Sequence, residues 1–251
     1  MERVKTGIPG LDDLMEGGLP RGYCYTVVGG PGSGKTTFCV QFLYNGATKY
    51  GENGVYLTFD ETPESIKTNA KRFGMDLEAL ERDGKIAIID AHPIRMGLGK
   101  YVIQAPTMGA PSFGIENVLS VLHKARKRIN AKRVVVDSLT SLMIQYKDAF
   151  TVRREILTLM KSLSETDGCT SILLSESPEE MATLSRYQVE TFLAQGVIIL
   201  HNLLMEDVRV RAIEIRKIRG TKHSERMHPF RITAQGIVVL PEERVYRAKA
   251  F

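Results

Sequence analysis

Gly29-Gly30-Pro31-Gly32-Ser33-Gly34-Lys35-Thr36 decides the reading of this 251-residue chain. It satisfies G-x-x-x-x-G-K-[ST] at every fixed position and lies between a strand and a helix, the context that pattern requires. Upstream, Tyr23-Cys24-Tyr25-Thr26-Val27-Val28 is a β-favouring run; downstream, Thr37-Phe38-Cys39-Val40-Gln41-Phe42-Leu43-Tyr44 is compatible with a helix. Strand, glycine-rich turn and helix start together form a phosphate cradle. Glycines let main-chain N–H groups close around phosphate oxygens, and the helix N-terminus adds a partial positive charge. The positions from Gly29 through Thr37 are therefore expected to hold the phosphates of a nucleotide. Lys35 reaches the β and γ phosphates, and the Thr36 hydroxyl holds Mg²⁺.

Working outward, residues 5–22 read as a turn, a short helix and a second turn, with Ile8, Leu11, Leu14 and Met15 at helical spacing between glycines and prolines. This lead-in feeds the cradle strand. Further runs at 54–59, 85–90, 132–138, 170–176 and 196–200 read as strands. Helical patterns separate them: one from Thr62 (N-cap) and Pro63 (N1) to about Phe73, one over 116–128, and one over 152–163. Strands alternating with helices predict an α/β fold with a mostly parallel central sheet and helices on both faces. From Val208 onward strict alternation, with Ala234-Gln235-Gly236 as a tight turn, predicts a C-terminal antiparallel β extension over about 208–251. One domain over 1–251 accommodates all of it. Residues 95–115 carry four glycines and two prolines without periodicity and read as a long loop, mobile or functional.

A cradle binds nucleotide; hydrolysis also needs an acid for the metal and a group that acts on water. Asp137, ending Val134-Val135-Val136, has the Walker B form and is expected to hold Mg²⁺ through a water; alternatively it caps the next helix. Ser138 follows it, so the base must come from elsewhere. Asp60 and Glu61 lie just past another strand end, where ligands gather in parallel sheets, and are the expected catalytic acids together with Lys35. The other reading is that both favour the helix start at Thr62. Ser175 and Glu176, at a further strand end, are candidates for sensing the γ-phosphate.

The net charge is +5, and the segment 209–226 alone carries an excess of five. Lys217 and Arg219 in it suit phosphate contacts made across a subunit boundary, as an arginine finger makes them. Arg209, Arg211 and Arg216 could form a phosphate track for nucleic acid, a reading disfavoured by the lack of interleaved aromatics; a solvated edge strand is the plain alternative. Cys24, Cys39 and Cys169 are odd in number, widely spaced and set among apolar or small residues, which suits buried thiols in a reducing cytoplasm. No 18-residue apolar run and no signal-like start occur, so no membrane association is expected. The five histidines show no metal or triad spacing.

Taken in order, Thr6-Gly7-Ile8-Pro9-Gly10-Leu11-Asp12, the cradle, Phe59-Asp60-Glu61-Thr62-Pro63, Arg133-Val134-Val135-Val136-Asp137-Ser138 and Lys217-Ile218-Arg219-Gly220-Thr221 with His223 resemble a single-domain member of the KaiC family within the RecA-type ATPases. The resemblance spans nearly the whole chain. It implies a hexameric ring with ATP between subunits, the acids after the second strand as catalytic pair, and Lys217 and Arg219 reaching the neighbour's γ-phosphate. Segments near Lys71, Arg72 and Ile232-Thr233-Ala234 would flank base and sugar. Two departures stand out. The family's Glu-Glu pair is Asp60-Glu61 here, one methylene shorter at the position expected to act as base. The segment Val189-Glu190-Thr191-Phe192-Leu193-Ala194, matching the region of clock-type autophosphorylation, has no adjacent Ser-Thr pair, so autokinase activity of that type is not expected. The expectation is a cytoplasmic, Mg²⁺-dependent ATPase. Its rivals are a barely hydrolytic ATP-dependent switch that binds a protein partner, and a DNA-handling ATPase.

Overall fold

The lead-in is the first piece to be fastened. Its carboxylate Asp12 accepts from the Thr6 N–H (2.9 Å), the Thr6 hydroxyl (2.7 Å) and the Gly7 N–H (3.1 Å), folding residues 6–12 onto themselves. A two-stranded ribbon, β1 (Arg3–Val4) with β2 (Leu19–Pro20), closes it around a 3₁₀ turn at Asp12–Met15. The computed structural model describes residues 1–91, 114–164, 168–177, 185 and 187–245. The stretch read as a long loop lies outside the described residues as far as 113.

Continuous apolar runs become strands, buried throughout in the middle of the sheet except at Glu176 and partly exposed toward the ends of β5 and β8: β3 (Cys24–Gly29), β4 (Gly54–Thr58), β5 (Ile86–Asp90), β6 (Arg133–Asp137), β7 (Thr170–Glu176) and β8 (Gly196–Met205). They pair in parallel in the order β8-β3-β7-β6-β4-β5. Beyond β8 the alternating segments add β9 (Val208–Ile218), β10 (Met227–Thr233) and β11 (Gly236–Val239), each antiparallel to its neighbour. The expected α/β architecture with its antiparallel extension is present; the last strand ends at Val239, and residues 246–251 of the expected extension lie outside the described residues. β8 runs to Met205 rather than stopping at Leu200, because β9 supplies a partner along its whole length.

Seven helices are described: α1 (Lys35–Lys49), α2 (Pro63–Lys71), α3 (Leu77–Arg82), α4 (Ile115–Ile129), α5 (Leu139–Met143), α6 (Ala149–Ser164) and α7 (Val189–Leu193). Alternation along the strands divides the core between two faces. Tyr25, Val27, Tyr56 and Val135 point toward α1, α2 and α3, meeting Phe38, Phe42, Ile66 and Leu77. Val28, Val55, Leu57, Val134 and Val136 point the other way, toward α4, α5 and α6 with Val118, Leu122, Leu142 and Ile156. Thr62 caps α2 as its sequence predicts, its hydroxyl accepting from the Ser65 N–H at 3.2 Å, though the helix ends at Lys71. All three cysteines are free and buried.

A fully buried cation ties lead-in, helix and sheet together. The Arg133 guanidinium donates to Glu52 (2.5 and 2.7 Å), to the Phe42 carbonyl (2.7 Å) and to the Lys5 carbonyl (2.9 Å). It also lies 4.4 Å from the centre of the Phe42 ring. Helix α1 can cross so near only because residue 46 is glycine: a Cβ there would meet Arg133 Nε at 2.5 Å. The cradle helix is thereby held at its far end.

Candidate functional site

Parallel strands bring their carboxyl ends to one edge, and register decides which residues meet there. Gly29 pairs with Glu176 across β3 and β7, and Thr58 pairs with Asp137 across β4 and β6. The cradle, the Walker B aspartate and the Asp60-Glu61 turn are thus neighbours although they are far apart in sequence. Gly32 (φ +67°) and Gly34 (φ +94°) adopt the left-handed conformation. Gly29 has no room for a side chain, since a Cβ would stand 2.4 Å from Ser33 Oγ and 2.7 Å from the Leu200 carbonyl. Lys35 folds over the loop, Nζ donating to the carbonyls of Gly29 (2.9 Å) and Gly30 (3.0 Å). Burial lowers its proton affinity, and the charges of Glu176, Asp137 and Asp60 oppose that.

At the first turn of α1 the Thr36 hydroxyl lies 3.4 Å from Glu61 Oε1 and 3.4 Å from Asp137 Oδ2. The buried Tyr56 hydroxyl donates to the same Asp137 oxygen at 2.5 Å. Burial pushes the Asp137 carboxyl up to about 6; the Tyr56 bond and Lys35 pull it down, while Asp60 and Glu61 push it further up. Asp137 does not cap the following helix. Ser138 does, its Oγ accepting from the Ser141 N–H at 3.2 Å. Asp60 and Glu61 separate into different surroundings. The exposed Asp60 accepts from the hydroxyls of Ser138 (3.1 Å) and Ser141 (2.6 Å), whereas Glu61 faces Thr36 and takes a second bond from Ser65 Oγ (3.1 Å).

The family described as ATPase: KaiC matches residues 4–244, which takes in the cradle, both acid clusters and the C-terminal strands. The chain belongs to the KaiC family of ATPases. It is 40% identical over 239 residues to the circadian clock oscillator proteins KaiC of Parathermosynechococcus lividus and of Synechococcus elongatus, covering 95% of this chain. The chain spans less than half the length of these curated relatives, 42% and 44%. A crystal structure of a KaiC-like protein from the hyperthermophilic archaeon Pyrococcus horikoshii superposes with a TM-score of 0.81 at 40% identity, over 96% of this chain and 99% of that one.

The donor set fits the metal that such an ATPase implies. Thr36, Glu61 and Asp137 offer one hydroxyl and two carboxylates, all hard oxygen ligands, and Mg²⁺ binds through one or two carboxylates plus phosphate oxygens rather than in a closed protein cage. Among the described residues no cluster of three or more His, Cys, Asp or Glu forms such a cage. These oxygens beside a glycine cradle accordingly suit Mg²⁺ with a nucleotide.

One expectation changes. Ser175 does not face the cradle: it is buried and donates to Glu190 Oε1 at 2.6 Å, because its strand alternation turns it into the core. Its neighbour Glu176 acts on the Lys35 charge instead. Within the basic segment the cations take separate partners. Arg216 pairs with Glu214 (2.9 Å), while Arg211 Nε donates to the Gly32 carbonyl of the cradle at 3.1 Å. Lys217 Nζ and Arg219 Nη2 both donate to the Phe192 carbonyl, at 3.1 and 2.8 Å. They are at the opposite end of the sheet from their own cradle. Ile218 pairs with Gly196 and Gly196 with Tyr25, four residues before Gly29, so about 13 Å along the strand and about 10 Å across two strand spacings separate the two ends. Beside the cradle, Ile232 Cδ1 would lie 3.2 Å from a Cβ on Gly34, which brings the 232–234 turn region to the nucleotide edge. Sequence reasoning missed Tyr56, Ser141 and the cradle contact of Arg211. Tyr56 was hidden inside an apolar run, and the other two depend on register.

Proposed function

We propose that this chain is a single-domain, Mg²⁺-dependent ATPase that works as a ring, expected to be hexameric, with each nucleotide between two subunits. The observation that carries the proposal is the meeting of Thr36, Glu61 and Asp137 beside the glycine cradle, with Lys35 in the loop. In this reading the cradle N–H groups from Gly32 to Thr37 and the Lys35 ammonium bind the phosphates. Thr36 and Asp137, with Glu61 adjoining, would hold the metal, which when bound neutralises charge on the phosphates. Glu61 and Asp60 orient the attacking water and accept its proton. Lys217 and Arg219 lie too far from their own cradle to act there, which supports a role on a neighbour's γ-phosphate. The absence of an adjacent Ser-Thr pair at 189–194 argues for hydrolysis rather than clock-type self-phosphorylation. Among the described residues no helix is long and apolar enough to cross a membrane, and the proposed setting is the cytoplasm.

A second reading, a slow ATP-dependent switch that docks a protein partner, draws on Asp60. Its two oxygens are already engaged by Ser138 and Ser141, which leaves it a poorer acceptor for a water proton than a free glutamate. Phosphate release and light-scattering mass, each measured with and without ATP-Mg²⁺, test both readings. The ATPase ring requires turnover that is lost in Lys35→Ala and a mass that reports assembly. Turnover unchanged by Asp60→Asn and Glu61→Gln refutes the hydrolytic assignment and leaves the switch. A protomer under all nucleotide conditions refutes the ring.

A further inference from the structure

The crown of the cradle is held from outside by a pair of residues that the motif does not contain. Asn202 and Arg211 face each other across β8 and β9. Asn202 Nδ2 donates to the Pro31 carbonyl (3.3 Å) and Arg211 Nε to the Gly32 carbonyl (3.1 Å). Arg209 in turn donates from Nη1 to the Asn202 carbonyl at 3.1 Å, buttressing that strand position.

In a trans peptide the C=O and the next residue's N–H lie in one plane and point in opposite directions. Fixing the Pro31 and Gly32 carbonyls outward therefore turns the N–H groups of Gly32 and Ser33 to the other side, into the cradle, where that of Ser33 meets the Gly30 carbonyl. The loop needs such a constraint because Gly30, Gly32 and Gly34 are the residue type with the widest choice of backbone conformation. Ser33 N–H has only a long contact within the loop, 3.4 Å to the Gly30 carbonyl, and Ser33 Oγ takes up that same carbonyl at 2.8 Å. Arg211 also brings a half-buried cation to the loop.

We propose that the Asn202–Arg211 cross-strand pair is a positioning device for phosphate binding: it pins two carbonyls of the cradle so that the adjoining amides stand ready for the nucleotide. Arg211 acts through its Nε–H donor on Gly32 and not by touching the γ-phosphate. This deepens the nucleotide reading above and rests on it.

The test uses the full chain with Mg²⁺ and either ADP or a non-hydrolysable ATP analogue, with binding measured by calorimetry. Arg211→Ala removes a charge-assisted bond and should weaken both ligands alike, by about tenfold or more. In Arg211→Gln the side-chain nitrogen stands at the same number of bonds from Cα as Arg Nε. It should restore binding to within about threefold of wild type without restoring charge. Asn202→Ser, which shortens the donor on the other strand, should weaken both ligands in the same direction and serves if Arg211→Ala folds poorly. Wild-type affinity in Arg211→Ala, or in Asn202→Ser if that variant alone folds, overturns the inference. So does a loss confined to the ATP analogue, or rescue by Arg211→Lys but not by Arg211→Gln, since either marks a direct charge contact. A wild-type chain that binds neither ligand refutes the nucleotide reading itself, so the two failures are separate.

Discussion

Replacing Asp137 by asparagine should make the metal-free protein more stable at neutral pH while destroying the site. Burial raises this carboxyl from 3.8 to about 6 in the folded chain. The folded state therefore holds the proton over a range in which the unfolded state has lost it, and stability falls as pH rises through that window. Below about pH 4 both states are protonated and the penalty vanishes; above about pH 6 it is fully developed. A shift of roughly two units, at about 1.4 kcal/mol each, costs the fold about 3 kcal/mol at pH 7.5 and roughly half of that at pH 5. The amide introduced by Asp137→Asn would keep an acceptor for the Tyr56 hydroxyl and carry no charge to desolvate. With a urea slope of about 2–3 kcal/mol/M, the unfolding midpoint of Asp137→Asn in EDTA should exceed wild type by about 1 M at pH 7.5, and the gap should narrow at pH 5. ATP-Mg²⁺ should then raise the wild-type midpoint and leave that of the variant in place. A midpoint equal to or below wild type at pH 7.5, or a difference that ignores pH, would refute the electrostatic account of this residue.

Glu61→Gln should weaken Mg²⁺-dependent nucleotide binding and hydrolysis together, whereas Asp60→Asn should slow phosphate release with binding intact, because only Glu61 faces Thr36; Mg²⁺ titrations of both variants decide it, and identical phenotypes contradict the division. Lys217→Ala or Arg219→Ala should lower turnover by about 10³-fold, as loss of an in-trans arginine does, while nucleotide binding to the protomer persists. Mixing either with Lys35→Ala protein should recover part of the activity, and mixtures as inert as their components would exclude action between subunits. Arg133→Met should destabilise by about 3 kcal/mol in urea, since it leaves Glu52 buried beside only one remaining cation, Arg21. An unchanged midpoint would show that the buried pair contributes nothing net.

The cradle, the two acids after β4 and Asp137 after β6 were legible because each combines a local motif with a strand end, and parallel strands deliver their carboxyl ends to one edge. Legibility stopped where partner choice enters. Alternation along 208–218 shows that Arg209 and Arg211 share a face, but only the pairing of Asn202 with Arg211 shows that this face meets the cradle. Ser175 failed for a related reason: being near a strand end says nothing of side, and here the side chain turns into the core, to Glu190. The short helices α3, α5 and α7 carry too few turns for a periodic signal. Ser138, read only as a residue that is not a base, both caps α5 and holds Asp60.

Packing alone does not account for the chemistry at this edge. Asp60, Asp137 and Glu176 all act on the Lys35 ammonium and favour its charged form. Asp60 and Glu61 both raise the Asp137 carboxyl, so the acids work against one another as long as only protein surrounds them. Tyr56, a buried phenol whose own proton burial makes hard to remove, lowers that cost by donating to Asp137 but adds no positive charge. A divalent cation between Thr36, Glu61 and Asp137 would turn the mutual repulsion into shared attraction, and the free energy gained would appear as ligand-linked stability. The arrangement that weakens the ligand-free fold is thus the one that would make metal and nucleotide binding favourable, and the stability of this edge should follow ligand concentration more closely than that of the strands beneath it.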